Sequence, residues 1–183
     1  MGFNKTTRNG SDSNESGPVR VLSPERLESR ARNVLLHQLN RSIKSRFQLQ
    51  TILQKREIPE DIATKVLDRF EEAGLIDDAR FAEAVVAARR SGKGLSRSAI
   101  IRELRAKGVA EDLIAASTDH LDSEQDLDVA IRLVEKRYRS LEALSPEVRN
   151  RRLLGFLQRK GFSGGQAFAA IKQVERQAVK SEF

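Results

Sequence analysis

LQKREI (53–58), LRAKGV (104–109) and LQRKGF (157–162) are three copies of one local pattern, and the distance between them decides the fold. Each copy starts with Leu (Leu53, Leu104, Leu157) and has a basic residue three positions on (Arg56, Lys107, Lys160). An apolar residue follows two positions later (Ile58, Val109, Phe162). Leu49, Ile100 and Leu153 stand four residues upstream, about one helical turn away. Downstream, Leu67 matches Ile171, and Phe70, Leu121 and Val174 share one column. The copies are offset by 51 and 53 residues. A period of that length marks stacked supersecondary units, each too small to bury its own apolar face.

The residues around each copy supply helix starts and stops. Ser45 and Ser96 stand where an N-cap belongs, and Ser145-Pro146 opens the corresponding helix of the third unit. Gly108 and Gly161 end these second helices in the left-handed conformation, which Gly adopts without a Cβ penalty. Glu57 occupies that slot in the first unit, so its turn is expected to be strained or differently built. In the second unit Asp77 or Asp78 caps a first helix with the stripe Phe81, Ala84, Val85 and Ala88, and a third helix is predicted from Glu111 to Leu121. Gly74-Leu75-Ile76-Asp77-Asp78 joins the first two units with no long linker. Strand signals are almost absent. The prediction is an all-α chain, an elongated array of three tandem three-helix repeats at 23–76, 77–122 and 123–180. Residues 1–22 are rich in Gly, Ser, Asn and Thr and are expected to form a disordered tail, with Ser23-Pro24-Glu25 starting the first helix.

Composition removes most catalytic classes. None of the 183 residues is Cys, which rules out disulfides, thiolate metal sites and Cys nucleophiles. His37 and His120 are too far apart in sequence to suggest a metal centre, and no cofactor motif is present. Ser91-Gly92-Lys93-Gly94 lacks the first Gly of a phosphate-binding loop and the Ser or Thr after its Lys. An enzyme is therefore not expected. No apolar run approaches the roughly 18 residues that span a bilayer, so a cytoplasmic chain without a membrane partner is expected. Met1-Gly2 with Thr6 is a weak match to a myristoylation pattern.

The net charge is +7 and the pI about 10.0, unevenly spread. Residues 57–78 hold eight acids against two bases, and residues 89–107 hold seven bases against Glu103. Residues 110–128 then carry seven acids and no Lys or Arg, and residues 130–160 carry nine bases against three acids. The acidic last helices of the first two units argue against a helix-turn-helix that inserts its last helix into a DNA groove, because phosphate would repel them. The basic clusters are the candidate contact surface: Arg89, Arg90, Lys93, Arg102 and Arg105, with Arg151, Arg152, Arg159 and Lys160. For any one of these residues the plainer reading is a solvated face. Arg97 lies near the apolar stripe, so its stem is expected to pack and its head to cap or bridge. Tyr138, among Lys136, Arg137 and Arg139, offers a ring for stacking on a base, against the stronger reading of a packed ring.

GLIDDARFAEAVVAARR (74–90), followed by SRSAIIRELRAKGV (96–109), resembles the signature of the RecX regulatory protein family. LQKREIPEDIATKVLDRF (53–70) and LLGFLQRKGFSGGQAFAAI (153–171) are similar to its flanking units. The resemblance implies a modular helical array that regulates the bacterial recombinase RecA. It further implies a monomer lying along the groove of the RecA filament on single-stranded DNA and inhibiting ATPase and strand exchange. The chain departs from the family pattern at Glu57, where Gly is usual, and at Gly164-Gly165, which predicts a less helical, mobile end to the third unit. Taken without the resemblance, the residues also fit a basic helical module that binds DNA directly without RecA, or an adaptor for another protein.

Overall fold

The computed structural model describes residues 23–181. The expected disordered tail and the Met1-Gly2 pattern lie outside the described residues. Among the described residues nine α-helices follow one another: α1 (Pro24–Leu39), α2 (Arg46–Gln54), α3 (Glu60–Glu72), α4 (Asp78–Ala87), α5 (Arg97–Ala106), α6 (Glu111–Thr118), α7 (Ser123–Tyr138), α8 (Pro146–Arg159) and α9 (Gly164–Ser181). A π-helical turn, Ala88–Lys93, prolongs α4, and a short 3-10 turn, Arg139–Leu141, prolongs α7. The described residues contain no strand.

Three separate apolar cores account for this order. They are built from residues 31–76, 81–121 and 129–174, one for each set of three helices. The columns of the sequence repeat are the cores themselves. Leu49, Ile100 and Leu153 are fully buried, as are Leu53, Leu104 and Leu157, and Ile58, Val109 and Phe162 close the bottom of each cluster. Phe70, Leu121 and Val174 are buried in a common register. Thr118 fills the place of Leu67 and Ile171, and its hydroxyl donates to the Ile114 carbonyl at 2.8 Å, which satisfies a polar atom inside the core.

Local chemistry sets the helix ends. Ser45 and Gln48 form a reciprocal capping box on α2, Ser96 accepts from the Ala99 amide on α5, and Asp77, not Asp78, caps α4 through the Arg80 amide at 2.9 Å. Three expectations need correction. The buried stripe of α4 is Phe81, Ala82, Val85 and Val86, whereas Ala84 and Ala88 are exposed, because turning Val86 inward removes more apolar surface than turning in an alanine. Helix α6 ends at Thr118, short of Leu121, because the Thr118 carbonyl accepts the Leu121 amide in a tight turn and also Arg97 Nε, both at 3.0 Å. Helix α9 starts at Gly164 despite its two glycines. Ser163 and Gln166 form a second capping box, each side-chain oxygen accepting the other residue's amide, at 3.1 and 3.2 Å.

The units meet through the same joint twice. The N-terminus of the second helix in one unit docks on the turn between the second and third helices of the next. Ser45 Oγ donates to the Lys107 carbonyl at 2.6 Å, and at the following joint Ser98 Oγ donates to the Gly161 carbonyl at 2.8 Å. The Ser96 amide donates to the Lys160 carbonyl at 3.1 Å. In both joints a carboxylate from the next unit's first helix receives the first amide of the docking helix. Asp78 accepts from Arg46 at 2.8 Å, and Asp126 accepts from Arg97 at 3.1 and 3.2 Å.

This contact explains the glycine slot. Gly108 and Gly161 have φ of +72° and +90°, and a Cβ on them would stand 2.3 Å from Phe47 and 2.5 Å from Ala99 of the preceding unit. Glu57 adopts the same left-handed turn at φ 59°, but among the described residues no preceding unit docks on it, and its side chain is exposed. The turn is thus built like the others. The close approach that demands Gly belongs to the joints and not to the turn alone.

Candidate functional site: a basic groove between the second and third units

The second joint places the first of the candidate cations. Arg90, at the start of the π-helical turn, pairs with Asp126, which is 5% exposed. Its Nη1 also donates to the Leu95 carbonyl at 3.2 Å, while its Nη2 is buried with no partner. Asp126 therefore joins the two units at once, as counterion to Arg90 and as acceptor for the start of α5. Lys160, just past α8, donates its ammonium to the Lys93 carbonyl across the same joint.

Arg90, Lys93 and Lys160 all border a groove of about 850 Å³. Arg90, Ser91, Gly92, Lys93 and Gly94 line it from the second unit, and Arg132, Leu133, Lys136, Arg137, Phe156 and Lys160 from the third. Six cations border the groove and no Asp or Glu does. Arg137 lies 4.7 Å from the centre of the Phe156 ring and Lys160 5.6 Å, so the aromatic face holds two of the cations in place. Such a surface binds anions, and phosphate oxygens in particular.

The other candidates are dispersed. Arg89 turns inward and forms two hydrogen bonds of 2.7 Å to Glu103. Arg102 and Arg105 border a smaller hollow of about 410 Å³ with Gln158, Gly161 and Phe162 of the third unit. Arg105 is already bonded to Glu111 at 2.6 and 2.8 Å, while Arg102 is exposed and has no ion pair. Arg151, Arg152 and Arg159 are exposed on α8 and do not line the groove. The head of Arg97 caps α6, as expected, through its Nε and the Thr118 carbonyl. Tyr138 is half-buried against the third core with Arg149 stacked 4.5 Å above it, so its ring serves packing. Among the described residues no cluster of acids and histidines is suited to a metal ion, and no helix is long and apolar enough to cross a membrane.

Arg132, Lys136 and Arg137 were not among the candidates from sequence. Their i, i+4, i+5 spacing on α7 places them on one helix face, and that spacing was the available signal. It shows which residues share a face but not what that face meets.

The Arg89–Glu103 pair yields a pH prediction. Hydrogen bonding from Arg89, followed by the charges of Arg89 and Lys107, holds the Glu103 carboxyl below its usual value. A carboxylate depressed in the folded state stabilises the fold fully above its unfolded pKa and loses that contribution as pH falls through the folded one. Urea midpoints are expected to fall below about pH 4, and Glu103→Gln to flatten that fall. Asp78 has the opposite sign, since burial raises its carboxyl, and its protonation opposes the loss.

Comparison with known proteins follows the same division into units. Family models of the first, second and third three-helix domains of RecX match residues 31–70, 77–117 and 123–171. The regulatory protein RecX of Thermobifida fusca is 41% identical over 173 residues, covering 94% of each chain. That of Streptomyces coelicolor is 46% identical over 143 residues, 78% of this chain and 76% of the relative. The crystal structure of RecX from Lactobacillus salivarius superimposes with a TM-score of 0.70 over 82% of this chain and 98% of its own, at 19% identity, so the fold persists where little sequence does. With three domain models in the right order on three separate cores, and relatives above 40% identity along most of its length, the chain belongs to the RecX family of regulatory proteins.

Proposed function

We propose that the chain regulates the RecA filament: as a monomer it lies across several recombinase protomers and the DNA they hold, and inhibits ATPase and strand exchange. The observation that carries this reading is the acid-free basic groove on a serial array whose third helices are acidic in the first two units. A uniform basic coat would suit bare DNA. Alternating stripes suit a protein polymer with its own charge pattern, and several weak contacts along it add up through effective concentration. Arg102, Arg105, Arg151, Arg152 and Arg159 supply further cations outside the groove.

The test is single-strand-dependent RecA ATPase with and without the chain. Arg102→Glu with Arg105→Glu is expected to weaken inhibition severalfold with helix content unchanged by circular dichroism. Arg102 should carry most of the effect, because Arg105 is already neutralised by Glu111. Unaltered inhibition removes this face from the interface. The groove also favours a second reading, direct DNA binding without RecA, which would appear as tight, steeply salt-dependent binding to bare DNA with no change in ATPase.

A further inference from the structure

We propose that the groove between the second and third units is a joint held by an anion. It takes a run of phosphodiesters from a single DNA strand, and filling it fixes the two units relative to each other. The inference deepens the reading of the chain as a regulator acting on single-stranded DNA and names the site of that contact.

The walls belong to different units. Arg90 and Lys93 stand on one side, and Arg132, Lys136, Arg137 and Lys160 on the other. Within the groove the compensation is incomplete. Arg90 has Asp126, Lys160 has a neutral carbonyl and the Phe156 ring but no ion pair, and Lys93, Arg132 and Lys136 have no ion pair. Like charges on facing walls repel, so an empty groove weakens the joint and an anion between the walls strengthens it. Arg90 Nη2 is buried without an acceptor, so Asp126 and the Leu95 carbonyl leave the guanidinium incompletely paired at the edge of the groove. A Cβ on Gly92 would have nothing within 4 Å, so the backbone of the π-helical turn is open to close approach.

Six cations on two walls exceed what one phosphate group can contact, which points to a chain of phosphates. A single strand fits better than a duplex. The adjoining hollow, which shares Arg90 and Arg132, is bordered by Glu83, and Asp119 and Asp122 before α7 and Glu124 and Asp128 in its first turns add further acids. A narrow strand can follow the cations, whereas the second strand of a duplex carries phosphates toward those acids.

The test uses the full chain and a labelled oligodeoxythymidine of about 12 nucleotides, within the usual range of single-strand site sizes. Fluorescence anisotropy over a salt series is expected to show that Arg132→Glu with Lys136→Glu weakens binding about tenfold or more. The log-log salt slope should fall by about 1.4, at roughly 0.7 per phosphate contact. Both side chains are exposed and free of ion pairs, so helix content should hold, and Arg132→Gln with Lys136→Gln provides a milder second variant. Arg26→Glu with Arg30→Glu makes the same charge change on α1, away from the groove, and is expected to have a much smaller effect. Equal weakening by the two reversals would mean that binding follows net charge, and would overturn the site. Inorganic triphosphate at equal phosphate concentration is expected to displace the strand poorly; full displacement would assign the groove to free polyphosphate and overturn the strand.

The joint is read separately. The chain has no native Cys, so Ala116→Cys and Ala169→Cys, both exposed, accept dyes on the second and third units. Adding the strand is expected to narrow the distribution of energy transfer, and to leave it unchanged in the Arg132→Glu, Lys136→Glu background. No narrowing in the parent overturns the joint. Failure of the regulatory reading is distinct: groove-dependent strand binding without any effect on RecA ATPase would sink the regulator and keep the site, and ATPase inhibition with groove-independent strand binding would do the reverse.

Discussion

Asp126→Ala is expected to destabilise the chain by about 3 kcal/mol, the lower end for breaking a buried ion pair. Two losses combine. Arg90, with its side chain 15% exposed, keeps its charge and loses its counterion, and the first amide of α5 loses its acceptor. The cost stays at the lower end because Arg90 borders the groove and can turn toward water there. Asp126→Asn retains an oxygen for the Arg97 amide and should cost about half as much. The check is urea unfolding followed by circular dichroism, since the chain has no Trp and one Tyr. Loss of this residue should also reduce strand binding, because Arg90 is then no longer held beside Lys93. If Asp126→Ala shifts the midpoint no more than a surface substitution does, the joint is not where the two units are fastened.

Gly161→Ala is expected to cost about 2–4 kcal/mol, from a left-handed backbone imposed on an L residue and from overpacking. Its φ is +90°, and the new Cβ would meet Ala99 Cβ at 2.5 Å and Ser96 Oγ at 2.6 Å. Neither neighbour is the end of a flexible chain. The Ala99 Cα stands 3.3 Å away, so the backbone of α5 must give and the third unit is pushed from the second. Glu57→Gly at the equivalent slot should do the opposite, with a gain of roughly 0.5 kcal/mol after the entropy cost of Gly is counted. Comparing urea midpoints of the two variants separates turn strain from joint packing. Equal and opposite shifts would mean that only the turn matters. Because the three cores are separate, the Gly161 variant should also broaden the transition as the third unit opens first.

Much of the fold was legible because its signals are local. A buried column recurs wherever a helix turns the same face to the same kind of core, so Leu53, Leu104 and Leu157 mark three cores without any knowledge of how those cores are arranged. Caps are equally local, and Ser45 and Ser96 each bond an amide three residues on. The errors lay where two local signals competed. Alanine and valine on α4 offered two stripes, and only the area each would bury chose between them. At Gly164-Gly165 the composition argued for fraying, and the Ser163–Gln166 box outweighed it.

The candidate site was legible only in part. Of the nine cations singled out, Arg90, Lys93 and Lys160 border the groove, although they lie in two units and up to 70 residues apart in sequence. Arg89 and Arg105 are neutralised by Glu103 and Glu111, partners close in sequence that a count of charges along the chain does not pair. Arg132, Lys136 and Arg137 gained their importance from what lies opposite them.

By itself, then, the sequence determined the helices, the three cores and the charge each helix carries, because caps, periodicity and burial act within a few residues. Only the tertiary structure decided that Asp78 and Asp126 fasten neighbouring units, that Gly108 and Gly161 make room for them, and that six cations face one another across a groove. Those facts depend on the position of one unit against the next. That position is set by contacts between residues tens of positions apart, and no local period encodes it.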